Sequence, residues 1–143
     1  MSAQLGLFGD EPAPVPERIV EVSRPAASIA PRVAAEPPCR VQDGIARLVV
    51  GRSRNMLVPW FLIAAWAYYV GDVPLLSDAM FDEICRALDA EWNDVEHRHK
   101  HLVDRSWLAA GTCLLARNLY PASVRGASAH LARCAGLPAV PRA

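Results

Sequence analysis

Residues 55–71 form an uncharged, mostly apolar run of 17 residues. Pro59, near its start, suits the first turn of a helix, where a missing N–H costs nothing. Gly71 at its end is a natural helix terminator. The pattern predicts a buried helix over about 59–70. A second pattern follows at once. Phe81, Ile84, Leu88, Trp92 and Val95 recur at steps of three and four, which predicts an amphipathic helix of about five turns. Ser77 is a good N-cap for it, and Asp78 falls in its first turn. Its polar face carries Asp78, Asp82, Arg86, Asp89 and Asn93.

The remaining segments read more weakly. A third helix is expected from about Asp104, carrying Trp107, Leu108, Leu114 and Leu115, with Pro121 at or just beyond its end. A fourth is expected over 123–135. Residues 42–50 read as a short helix or a strand, with helix preferred. No stretch alternates convincingly as a strand and no repeat is visible. The expected fold is a small all-α helical bundle.

Composition divides the chain unevenly. Seven of the 12 prolines precede Cys39, in a stretch with no Trp, no Tyr and one Phe. Such a stretch buries too little apolar surface to offset the entropy of ordering. Residues 1–39 are therefore expected to be a disordered Pro/Ala-rich tail, 40–137 the folded domain, and 138–143 a flexible C-terminus. The uncharged run is shorter than the roughly 20 residues of a membrane span and holds Pro59, two Tyr and two Trp. It is read as a core helix, with no membrane partner. A formal net charge of zero gives no global electrostatic case for nucleic acid. Arg40, Arg47, Arg52 and Arg54 are read as a solvated linker face. Cys39, Cys85, Cys113 and Cys134 form no CxxC pair, so a zinc ribbon is disfavoured. No leader-like segment opens the chain, and the thiols are read as reduced and mostly buried in a cytoplasmic protein.

Asp78 and Asp82 are four residues apart and share a helix face. Their repulsion costs about 0.2–0.5 kcal/mol in an isolated helix. The helix N-terminus offsets a similar amount, and Arg86, one turn further on, can pair with Asp82. An ordinary charged outer face is thus one reading. The other takes in Tyr68 and Tyr69, just before the turn: aromatic faces beside paired carboxylates suit a cationic, hydroxyl-rich ligand.

The ordered string Tyr68-Tyr69-Val70, Asp72, Pro74, Ser77-Asp78-Ala79 and Phe81-Asp82 resembles the N-terminal helical subdomain of NAD-dependent bacterial DNA ligases. The resemblance covers about 25–40 residues, reaching to about Glu91. In that family the subdomain grips the nicotinamide mononucleotide half of NAD and helps transfer AMP to the ligase lysine. The resemblance implies that Tyr68, Tyr69, Asp78, Phe81 and Asp82 contact the nucleotide, with NAD or nicotinamide mononucleotide as the cofactor. The family usually has His where Tyr69 stands and Tyr where Phe81 stands. A complete ligase also needs a Lys-x-Asp-Gly nucleophile. The single lysine here, Lys100, is followed by His-Leu-Val. The chain looks like the small ligase-related proteins of phages and prophages, which keep only this helical module.

Two further signals stand apart. Gln4-Leu5-Gly6-Leu7-Phe8 resembles the pentapeptide by which bacterial polymerases and repair proteins bind the replication sliding clamp. Leu7 and Phe8 would enter an apolar pocket while Gln4 anchors the peptide. His97, His99 and His101 alternate around Arg98 and Lys100. They are read as a polar surface loop ahead of a phosphate contact or a metal site, because a spacing of two does not align three ligands on one helical face. Three functions follow as expectations. The first is a nucleotide-binding module of DNA replication or repair. The second is a clamp-tethered adaptor serving DNA-processing machinery without a nucleotide. The third is a purely structural helical domain.

Overall fold

Helix α1, Cys39–Arg52, is the first element of the computed structural model, which describes residues 39–143, with side chains from residue 41. The expected tail, and with it Gln4, Leu5, Leu7 and Phe8, lies outside the described residues. A 3₁₀ turn, Arg54–Met56, leads into α2, Leu57–Ala65, and a π turn, Trp66–Val70, continues it. Then come α3, Asp78–Ala90, and α4, Arg105–Ala110, with the 3₁₀ turn Lys100–Leu102 between them. A last 3₁₀ turn, Arg117–Leu119, precedes α5, Ala122–Cys134. No strand occurs among the described residues, and the protein is all-α.

α2 is central because its sequence is apolar on every side. Eight of its nine residues are buried, and each large apolar side chain removed from water is worth about 1.5–3 kcal/mol. α3 and α5 pack against it, and α4 packs against α3. α1 lies to one side and is tied to α3 by polar contacts. Asp43 accepts from the Ser77 backbone N–H at 2.9 Å and from the Ser77 hydroxyl at 2.5 Å. Arg47 pairs with Glu83 at 2.7 Å. Arg54 lies 3.6 Å from Glu91 and 3.3 Å from Asp94. The arginines expected to form a linker face instead belong to the folded domain, two of them engaging carboxylates of α3 and the turn beyond it.

α3 starts where expected. Ser77 has extended backbone angles, and its hydroxyl oxygen accepts from the Met80 N–H at 3.1 Å. It ends earlier than the expected five turns. Past Ala90 the chain runs in turns, yet Val95 is fully buried and Trp92 half-buried. The Lys100 ammonium donates to the carbonyl oxygens of Trp92 and of Val95, the latter at 3.0 Å, and lies over the Trp92 ring at 4.7 Å. A side chain here takes over acceptors that a continuing helix would have used.

α4 also stops short. Its N-cap is Asp104, which accepts from the Ser106 N–H at 2.9 Å. Its C-terminus closes at Gly111, with φ 64°. The Thr112 N–H bonds the Trp107 carbonyl and the Gly111 N–H bonds the Leu108 carbonyl, the paired closure that a left-handed glycine permits. Leu114 therefore falls outside the helix and is 71% exposed. Pro121 caps α5, and residues 138–143, expected to be flexible, lie against the core. Val140 is buried, and the Trp66 indole donates to the Pro141 carbonyl at 2.8 Å.

Candidate functional site

The turn between the π segment and α3 creates a cleft. The π turn adds a residue to the helical repeat: the Gly71 N–H reaches back to the Trp66 carbonyl and the Val73 N–H to the Ala67 carbonyl. Asp72 then takes a left-handed conformation, φ 55°, which Asp tolerates better than most residues. The chain reverses, buries Val73, Leu75 and Leu76, and enters α3 at Ser77. The space left between the end of the π turn and the start of α3 has a volume of about 290 Å³.

Tyr68, Tyr69, Asp78, Phe81 and Asp82 all line it, together with Ala64, Pro74, Leu75, Leu76 and Gly111. The five positions singled out in the sequence are thus brought together on one concavity. Tyr68 and Tyr69 are 52% and 47% exposed, with ring centroids 5.0 Å apart and planes at 82°. The Tyr69 hydroxyl is 3.1 Å from the Thr112 hydroxyl, which ties this wall to the segment after α4. Phe81 stacks on Phe61 at 5.4 Å and 21°, so its ring is held by the core. It presents an apolar face to the cleft.

Among the described residues neither the Asp78 nor the Asp82 carboxylate forms a hydrogen bond or an ion pair. The anticipated Arg86–Asp82 pair is not formed. Two arginines from other helices pair with other carboxylates of α3, Arg47 with Glu83 and Arg105 with Asp89 at 2.6 Å. Two exposed carboxylates therefore face the cleft with their acceptor capacity unspent. Behind them, burial above all, and the Asp82 charge next, push the Cys85 thiol up to about 12, so it stays a neutral packing group.

Comparison with known proteins supplies no relative. No family model, curated protein or solved structure matches the chain.

Three of the residues that shape the cleft were not singled out from the sequence. Gly111 is one: a Cβ there would sit 2.9 Å from the Asp82 carboxylate oxygen. The backbone and the carboxylate approach this closely only because the side chain is absent. Its signal was a glycine just past Trp107 and Leu108, the usual place for a helix terminator. Thr112 follows from the same turn. Asp43 is the third, and its grip on Ser77 across 34 positions of sequence has no local signature.

The histidines lie apart from the cleft, on the connection between α3 and α4. The His97 and His99 rings are 5.3 Å apart, and the His99 N–H donates to His97 Nδ1 at 3.1 Å. Burial, and then the Arg98 charge, hold both imidazoles below the usual histidine range. Among the described residues no group of three His, Cys, Asp or Glu side chains is placed to hold a metal ion.

Proposed function

We propose that the cleft binds the nicotinamide–ribose half of NAD or of nicotinamide mononucleotide, and that the protein is a ligase-related nucleotide-binding module of DNA replication or repair. One observation carries this reading. Five residues taken from an ordered sequence string meet on one cleft, and its two carboxylates have no partner among the described residues. In this reading Asp78 and Asp82 accept hydrogen bonds from ribose hydroxyls, at about 1.5–3 kcal/mol for each such charged bond. The faces of Tyr68 or Tyr69 over a pyridinium ring add about 0.5–2 kcal/mol. After the cost of association, these sums suit a ligand held in the micromolar to millimolar range. A volume of 290 Å³ is at the lower edge of small-molecule sites, about 300–1,000 Å³. It suits one ring and one sugar, with the rest of a dinucleotide outside.

The chain supplies binding rather than the nucleophile of adenylation. Its single lysine, Lys100, donates to two backbone carbonyls and covers Trp92. Calorimetric titration with NAD and nicotinamide mononucleotide tests the reading. The expected result is saturable heat at submillimolar to millimolar ligand, lost in Asp78→Ala and Asp82→Ala. No heat from any nicotinamide ligand up to 10 mM (about 2.7 kcal/mol of affinity at 298 K) refutes it.

A further inference from the structure

The charge of the cleft narrows the ligand class beyond that reading, on which this inference rests. The lining residues include two carboxylates and, among the described residues, no lysine, arginine or histidine. Of the arginines around α3, Arg47 is paired with Glu83 and Arg105 with Asp89, while Arg86, exposed one turn past Asp82, stands outside the lining. The first turn of α3 offers little to an anion. The Met80 N–H is capped by the Ser77 hydroxyl, the Phe81 N–H by the Ser77 carbonyl, and Asp78 places its own negative charge beside what remains. The aromatic wall adds the negative faces of two rings that are half exposed.

We infer that the cleft selects a cationic pyridine nucleoside carrying no phosphate, and that nicotinamide riboside binds it more tightly than nicotinamide mononucleotide. The nucleoside brings one positive charge into a site holding two negative ones. A phosphate monoester adds about −1.5 to −2 at pH 7, which reverses the sign of the ligand and sets it against Asp78 and Asp82 with no counter-cation in the lining. In a solvated cleft, after partial screening, such repulsion amounts to about a five- to tenfold difference in affinity at low salt. Salt shortens the screening length from about 30 Å at 0.01 M to about 3 Å at 1 M, so the preference shrinks as salt rises.

The test titrates the full chain with three probes: nicotinamide riboside, nicotinamide mononucleotide, and the reduced, uncharged riboside. Each is run at low and at high salt on the native protein, and then on Asp78→Asn and Asp82→Asn. The inference predicts the order riboside, then mononucleotide, with the reduced riboside weakened relative to the cationic one. It also predicts that the ratio of the first two falls toward unity at high salt and in the amide variants. Binding of the mononucleotide as tightly as the riboside overturns this inference and leaves the nicotinamide reading standing. A preference indifferent to salt and to both amide substitutions also overturns it, because the selection then has another origin. Silence of all three probes removes the nicotinamide reading and this inference together.

Discussion

Gly111 joins the stability of the fold to the shape of the cleft, and replacing it with alanine tests both. Two effects add. The residue sits at φ 64°, ψ 38°, a region that costs an L-residue with a side chain about 1–2 kcal/mol. The new Cβ also lands 2.9 Å from the Asp82 carboxylate oxygen. That oxygen ends a short side chain on the solvent side of α3, so it turns aside, at about 0.5–1.5 kcal/mol if it leaves its rotamer well. Together Gly111→Ala loses about 1.5–3.5 kcal/mol. At roughly 4–8 °C per kcal/mol for a domain near 100 residues, the midpoint of thermal unfolding falls by about 6–28 °C.

The same substitution at Gly44 is the control. Gly44 lies in α1, exposed, with no atom within 4 Å of an added Cβ. Alanine there removes the glycine penalty in a helix and stabilises by about 0.5–1 kcal/mol. Circular dichroism during thermal and urea unfolding measures both variants. Calorimetry on folded Gly111→Ala then reads the site: on the proposed function, displacement of the Asp82 carboxylate removes a charged hydrogen bond and should weaken nicotinamide binding by about 1.5 kcal/mol or more, roughly tenfold. Gly111→Ala as stable as the parent refutes the account of α4 termination. A destabilised variant with unchanged ligand affinity refutes the role given to Asp82.

Other outcomes follow from particular contacts. Asp43→Ala removes both bonds to Ser77 and should cost about 1–3 kcal/mol in urea unfolding; a double-mutant cycle with Ser77→Ala should show coupling of at least about 1 kcal/mol, and additivity contradicts the clamp. His97 and His99 have folded pKa values held down by burial, so the unfolded chain takes up protons first as pH falls below about 6.5. Their contribution is then fully present above pH 6.5 and declines toward pH 5, while the Glu83 contribution, also from a lowered pKa, is lost only below about 4.5. Melting from pH 7.5 to 5 should show the decline, and His97→Gln with His99→Gln should flatten it. Cys134 is exposed whereas Cys85 and Cys113 are buried, and burial raises both inner thiols. A maleimide probe should therefore label Cys134 in the folded protein and the inner two only on unfolding, and equal rates contradict the packing.

What could be read from the sequence and what could not divides along one physical line. The start of α3 was legible because it is local: Ser77 caps Met80 three residues on, and Asp78 follows in the first turn. The site string was legible for the same reason, since Tyr68 to Asp82 spans one helix end, one reversal and one helix start. The end of α3 was not. Trp92 and Val95 keep the three- and four-residue spacing because both still face the core, but spacing reports which way a side chain faces, not whether the backbone between remains helical. That question was decided by Lys100, five residues beyond Val95, whose ammonium bonds the Trp92 and Val95 carbonyls. Leu114 and Leu115 misled in the same way, and Gly111, between them and Trp107, outweighed the period by closing α4 in a left-handed turn. The cleft inherits this division. The five lining side chains singled out from the sequence come from one short stretch, but their geometry is held by residues from outside it: Asp43 on Ser77, Thr112 on Tyr69, Phe61 behind Phe81, and Gly111 against Asp82. Loss of function by substitution should therefore arise at these four supports as readily as at the ligand-facing residues, and the supports alone should also lower stability.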